Sequence, residues 1–180
     1  MECGVWRGGA SMVAALALIS ENDTARRLWL YDTFAGMTTP TDKDIHRWAG
    51  ENARRTWARF QRGEHNDWCY ASLEEVKKNL YSTGYQQDQI EFIKGDVVTT
   101  LASGGPDRIS VLRLDTDWYD STKIELETLY PRLSPHGVLI VDDYGVWDGA
   151  RRAVDEYFES KNIKMLFQRT DYTGRMGLKS

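Results

Sequence analysis

Short apolar runs alternate with amphipathic stretches along most of this chain, and that alternation is the first thing the sequence shows. Leu28-Trp29-Leu30-Tyr31, Ile90-Glu91-Phe92-Ile93, Ile109 to Leu114 and Gly137 to Val141 each have the length and the aliphatic and aromatic content of a buried strand. Met1 to Val5 has the look of a strand tail. Between these runs, apolar residues recur at helical spacing. Ser11 is placed to cap a helix with Met12, Val13, Leu16 and Ile19 inward. Ser72 and Glu75 have the spacing of a capping box ahead of Val76 and Leu80. Thr99 to Ala102 predicts a short turn or helix. Asp120 to Leu133 predicts a helix with Leu126, Leu129, Tyr130 and Leu133 on one stripe, Thr122 and Glu125 as its capping box, and Pro131 fraying its end. Ala150, Ala153, Val154, Tyr157 and Phe158 mark another. Lys164 to Gln168 and Arg175 to Leu178 predict two closing strands about an Asp171-Tyr172-Thr173-Gly174 turn. Strand and helix in alternation predict an α/β fold with a mostly parallel sheet and helices on both faces.

One region breaks the rhythm. Thr33 to Tyr70 carries Gly36, Pro40, a charged run and three tryptophans, Trp48, Trp57 and Trp68. Ala49, Ala53, Trp57 and Phe60 predict a helix over about Ile45 to Gln61. We read this region, about 33–70, as a lid or substrate insertion within a single 180-residue domain.

Composition narrows the picture only modestly. Hydrophobic residues make up 41% and charged residues 28%, as in an ordinary globular protein. The net charge of -4 argues against a nucleic-acid partner, which would demand a basic face. Cys3 and Cys69 are too few for a disulfide framework, which fits a reducing, cytoplasmic setting. Ala10 to Ile19 is apolar and follows Arg7. Glu2 and the lack of a small-residue cleavage site favour an amphipathic helix there over a signal peptide. The stretch is also short of the about 20 residues a membrane span needs.

The candidate chemistry sits where strands end. Leu114 is followed by Asp115-Thr116-Asp117, and Val141 by Asp142-Asp143. In an open α/β sheet, ligands bind just beyond the carboxyl ends of the strands. If those two strands are neighbours, Asp115, Asp142 and Asp143 crowd together and raise one another's pKa. A hard divalent cation, magnesium, calcium or manganese rather than zinc, resolves such crowding. Glu2-x-Gly4-x-x-x-Gly8-Gly9 follows a strand stub and opens a helix, and Asp32 ends the next strand. Together they outline a site for a nucleoside-bearing cofactor. Trp118, Tyr119, Tyr144 and Trp147 stand near the acids, and Trp118 and Tyr119 are expected as walls of the site. His46, His65 and His136 form no set, and no nucleophilic cysteine can be assigned. Asp115-x-Asp117 is also formally the Asp-x-Asp pattern of a metal-dependent nucleotide-sugar glycosyltransferase, although Asp142-Asp143 has no place in that pattern. A cofactor-binding module without turnover is a third reading.

Four motifs in order resemble the macrocin O-methyltransferase family. They are Glu2 to Gly9, Tyr31-Asp32-Thr33-Phe34-Ala35-Gly36-Met37, Leu114 to Thr122, and Val141-Asp142-Asp143-Tyr144-Gly145, followed by Gly149-Ala150-Arg151-Arg152-Ala153-Val154-Asp155. The resemblance covers essentially the whole chain. It implies a Rossmann-like methyltransferase sheet with a reversed last strand, S-adenosylmethionine and magnesium as cofactors, and a sugar hydroxyl of a glycoside as methyl acceptor. It implies that Asp115, Asp142 and Asp143 hold the metal and that Asp117 is the candidate general base; Lys123, one helical step beyond, is a second candidate from its position alone. It implies that Glu2, Gly4, Val5, Trp6, Asp32, Thr33 and Asp115 surround the cofactor, with Ser72 and Asp96 near the adenosine. The family pattern has an N-terminal segment and a full first strand ahead of Glu2, where this sequence has a stub. The tryptophan content is compatible with a homodimer, and no membrane partner is expected.

Overall fold

The computed structural model describes residues 1–180 and shows a seven-stranded sheet with helices on both faces. In chain order the main elements are β1 (Glu2–Cys3), α1 (Gly9–Ser20), β2 (Leu28–Asp32), α2 (Arg54–Phe60), the hairpin β3 (Gln61–Arg62) and β4 (His65–Asn66), and α3 (Leu73–Tyr81). They continue as β5 (Ile90–Lys94), α4 (Val97–Thr100), β6 (Ile109–Leu114), α5 (Tyr119–Leu129), β7 (Leu133–Val141), α6 (Asp148–Ser160), β8 (Gln168–Arg169) and β9 (Arg175–Leu178). The sheet order is β5-β2-β1-β6-β7-β9-β8. The first five strands in that order are parallel, and β9 runs antiparallel to β7, which is the reversed last strand expected. The strand order turns back between β1 and β6, the place where an open parallel sheet leaves a crevice.

Period-two alternation divides the core into two layers. Leu28 and Leu30 face one side, where Ala15 of α1 and Val76 and Leu80 of α3 cover them. Tyr31 faces the other side, with Leu112 and Leu114 of β6 and the apolar stripes of α5 and α6. A third, small cluster of Ala53, Trp118, Trp147 and Ala150 joins the insertion to the starts of α5 and α6.

Three local expectations give way. In α1 the buried residues are Ser11 and Ala15, while Val13 and Leu16 are exposed. The helix is apolar on nearly every side, so periodicity cannot choose its inner face. Gly8, with φ 87°, opens it ahead of Ser11. The helix expected over Ile45 to Gln61 is confined to Arg54–Phe60, because Ile45 bridges to Asn52 and His46 to Trp147 instead. Helix α5 starts at Tyr119, and Thr122 and Glu125 lie buried inside it rather than capping it. The Ser72 cap holds: its hydroxyl accepts the Glu75 N–H at 3.2 Å. The Glu75 carboxylate, however, pairs with Arg7 rather than completing a box. No helix is long and apolar enough to cross a membrane.

Candidate active site

The carboxyl ends of β1, β2, β5, β6 and β7 border one cavity of about 300 Å³. Gly4, Trp6, Asp32, Thr33 and Asp96 line it on the side of β1, β2 and β5. Asp115, Asp117, Asp142 and Asp143 line it on the side of β6 and β7.

Backbone geometry shapes the first side. Gly4 has φ 77° and donates its N–H to Tyr31 O at 2.9 Å. A Cβ on residue 4 would overlap the Asp115 carbonyl oxygen, so only glycine lets β1 pass this close to β6. Asp32 accepts the N–H groups of Val5 at 2.6 Å, Trp6 at 3.1 Å and Phe34 at 2.6 Å, which clamps the glycine turn to the end of β2. Asp96 caps α4 by accepting the Val98 N–H.

Three of the expected cofactor residues lie off the cavity surface. Glu2 is buried against the Ser11 hydroxyl and Arg113, Val5 is in the core, and Ser72 serves as the cap of α3.

The acidic side is held by side chains. Asp115, Asp117 and Asp143 each bring an oxygen within 4.8 Å of the others. This group differs from the expected trio by one residue. The Oδ1 atom of Asp142 instead accepts from Arg113 at 2.8 Å. Arg113 also pairs with Glu2 and Asp115. Sequence reasoning passed over Arg113. Its signal was there, as the single charge within the strand Ile109 to Leu114. Burial opposes its charge, but Asp115, Asp142 and Glu2 together outweigh that and raise its pKa.

Burial pushes the Asp115 carboxyl up to about 6, with Arg113 pulling back and Asp142 adding to the rise. Burial, followed by the charge of Asp115, pushes Asp117 up to about 7. Asp143 is raised well above the usual range by burial and then by Asp117. Asp117 adopts φ 66°, in the left-handed region that aspartate enters more readily than most side chains. Its N–H donates to Asp143 Oδ2 at 3.0 Å, and its Oδ1 accepts from the indole N–H of Trp147 at 2.7 Å. An all-oxygen donor set with crowded negative charge fits a hard divalent cation.

The aromatic residues expected as walls are absent from the lining. Trp118 and Trp147 pack edge to face at 5.1 Å and are buried, with Trp68 against both. Trp147 supports Asp117 from behind, while the Trp118 indole N–H donates to Thr38 O. The Tyr119 hydroxyl donates to Glu156, and Lys123 lies 6.0 Å from the Tyr119 ring rather than in the cavity. Cys69 does line the cavity, but burial and the neighbouring acids push its thiol up to about 12, so it is no nucleophile at neutral pH.

The model of the macrocin-O-methyltransferase (TylF) family matches residues 1–176. The 8-demethyl-8-(2,3-dimethoxy-alpha-L-rhamnosyl)-tetracenomycin-C 4'-O-methyltransferase of Streptomyces olivaceus is 37% identical over 97% of this chain and 63% of its own length. Mycinamicin III 3''-O-methyltransferase of Micromonospora griseorubida is 36% identical over 91% of this chain and 61% of its own. The chain thus spans a little over three fifths of the length of these two relatives. The solved structure of the O-methyltransferase NovP matches with a TM-score of 0.84 at 30% identity, covering 99% of this chain and 70% of that one. CalS11, a calicheamicin methyltransferase, matches at 0.72 and 19% identity over 99% of this chain and 70% of that one, a likeness of fold.

Proposed function

The chain belongs to the macrocin O-methyltransferase family, and from that premise we propose that it moves a methyl group from S-adenosylmethionine to a sugar hydroxyl of a glycosylated natural product. The observation that carries the proposal is the pairing within one cavity of a clamped glycine turn and a converging group of carboxylates. The relative from Streptomyces olivaceus is named for a rhamnosyl-bearing tetracenomycin, which supports a glycoside acceptor.

Gly4, Trp6, Asp32, Thr33 and Asp96 would hold the cofactor. Asp115 and Asp143 would hold a magnesium or similar ion, with Asp117 converging on the same point and Asp142 extending the anionic wall. When bound, the two groups supply a sulfonium methyl and a positive charge that lowers the pKa of a sugar hydroxyl. The chain supplies the rest. Asp117 accepts the hydroxyl proton, with its Oδ1 steadied by the Trp147 indole. Arg113 bonds to both Asp115 and Asp142 and so fixes the direction in which their carboxylates point. The cavity walls would hold donor and acceptor together, and such positioning supplies much of the acceleration in a transfer of this kind.

Calorimetric titration with S-adenosylmethionine, with and without magnesium chloride, tests both cofactors. A panel of rhamnosides then tests the acceptor. Full methyl transfer in excess chelator would remove the metal from the proposal, and Asp117→Asn with an unchanged rate would remove the assigned base.

A further inference from the structure

We propose that Asp44, carried by the insertion, is a positioning residue for Asp117, acting by fastening the insertion to the first turn of α5. Asp44 has no exposed surface. Its Oδ1 accepts the N–H of Tyr119 at 2.8 Å. Its Oδ2 accepts the N–H of Thr41 at 2.6 Å and the Thr41 hydroxyl at 2.8 Å. A buried carboxylate is tolerable only when bonded in this way, so the arrangement is held firmly.

Helix α5 has no side-chain cap of its own, since Trp118 occupies the capping position. An acid 75 residues earlier in the chain satisfies its first free N–H instead, at the end of the helix that favours negative charge. Tyr119 lies two residues beyond Asp117, so the same bond fixes the loop that presents the base. The start of α6 is shaped around it. A Cβ on Gly149 would overlap Asp44 Oδ1 and stand 3.1 Å from the Tyr119 nitrogen. This gives a physical reason for the glycine that opens the run Gly149-Ala150-Arg151-Arg152. Flanking backbone bonds, Arg47 N–H to Val146 O and Asp148 N–H to Ile45 O, both at 2.9 Å, seat the rest of the segment. The place of Asp117 therefore depends on the insertion being docked.

The kinetic half of this inference rests on the methyl-transfer reading; the structural half stands without it. Three variants test both. Asp44→Ala removes the bond to Tyr119, Asp44→Asn keeps an oxygen for it, and Gly149→Ala pushes Asp44 aside. We expect Asp44→Ala to lower kcat by about tenfold or more, because small misplacements of a reacting group are costly. Its affinity for S-adenosylmethionine should change by less than about threefold, since no cofactor contact is touched. Hydrogen exchange at the Tyr119 amide should rise by about tenfold or more while the amides of β2 and β5 stay protected. Asp44→Asn keeps the Tyr119 bond but sets its amide NH2 against the Thr41 N–H, so its kcat should lie between Asp44→Ala and the parent, and Gly149→Ala should behave like Asp44→Ala.

An Asp44→Ala protein with parental kcat overturns the proposal, and so does one that loses kcat and cofactor affinity in parallel. If Asp44→Ala does not fold, Gly149→Ala decides: parental kcat and a protected Tyr119 amide overturn it. If the parent protein methylates no glycoside, the functional reading fails by itself. Exchange at Tyr119 then settles the inference, and continued protection in Asp44→Ala overturns it.

Discussion

The two sides of the cavity are built on opposite principles. On the side of β1 and β2, the Gly4 turn and Asp32 are knit together by backbone N–H groups, each with a partner at 2.6 to 3.1 Å. On the side of β6 and β7, Asp115 and Asp142 pair with Arg113, with Glu2 behind, Asp117 and Asp143 crowd against Asp115, and Asp115, Asp117 and Asp143 have raised pKa values. The first side is complete as folded. The second stores unfavourable charge, which a native protein retains where function needs it. Substitutions should therefore act with opposite sign on stability in the two places.

The sharpest way to break this contrast is Asp115→Asn. Transfer should fall by about a hundredfold or more, as for loss of one electrostatic group aimed at the reacting centre. The melting temperature should hold or rise, because a crowded charge has gone. A clear fall in melting temperature would show that the acids contribute to the fold after all. Gly4→Ala on the other side should do the reverse, costing about 3 kcal/mol or more through left-handed strain and overlap with the Asp115 carbonyl. Denaturant unfolding reads that loss directly.

A pH series sharpens the comparison further. Asp115 and Asp117 keep protons in the folded state up to about 6 and about 7, whereas the unfolded chain releases them near about pH 4. The folded state binds more protons between those limits. The stability these two groups contribute is thus fully present below about pH 4 and is lost as pH rises through their folded pKa values. Without added cation, melting temperature should decline between about pH 4 and about pH 7. Magnesium chloride should raise it more at the upper end. A flat profile would mean that the acids ionise freely. The smallest effect should come from Ser72→Ala, which loses a helix cap for about 1 kcal/mol. Unchanged cofactor affinity in that variant would confine Ser72 to the cap, and a large loss would return it to the adenosine site.

The sequence disclosed the strand ends because apolar runs of four to six residues followed by acids leave little choice of structure. That Asp115 and Asp143 follow neighbouring strands was a condition of that reading, and the β6–β7 pairing meets it. Arg113 was visible as an anomaly, but its partners on β1 and β7 depend on the register Glu2↔Arg113 and Arg113↔Ile140, which no local pattern encodes. The inward face of α1 was illegible for the opposite reason, an excess of apolar residues. The tryptophans misled, since a large aromatic side chain beside a site suits a supporting core as well as a wall. Asp44 gave no signal, for an acid in a charged loop is ordinary until a helix start 75 residues away meets it.

That last contact also bears on the order in which the molecule assembles. It unites residues 44, 119 and 149 from three distant stretches, so most of the chain must already be gathered before it can form. Contacts of such wide sequence separation close late, after the entropy of the intervening loops has been spent. On a ribosome or in a refolding experiment, this contact and the pairing of β1 with β6, whose partners Glu2 and Arg113 stand 111 residues apart, would thus both belong to the late steps, and competence would arrive with them.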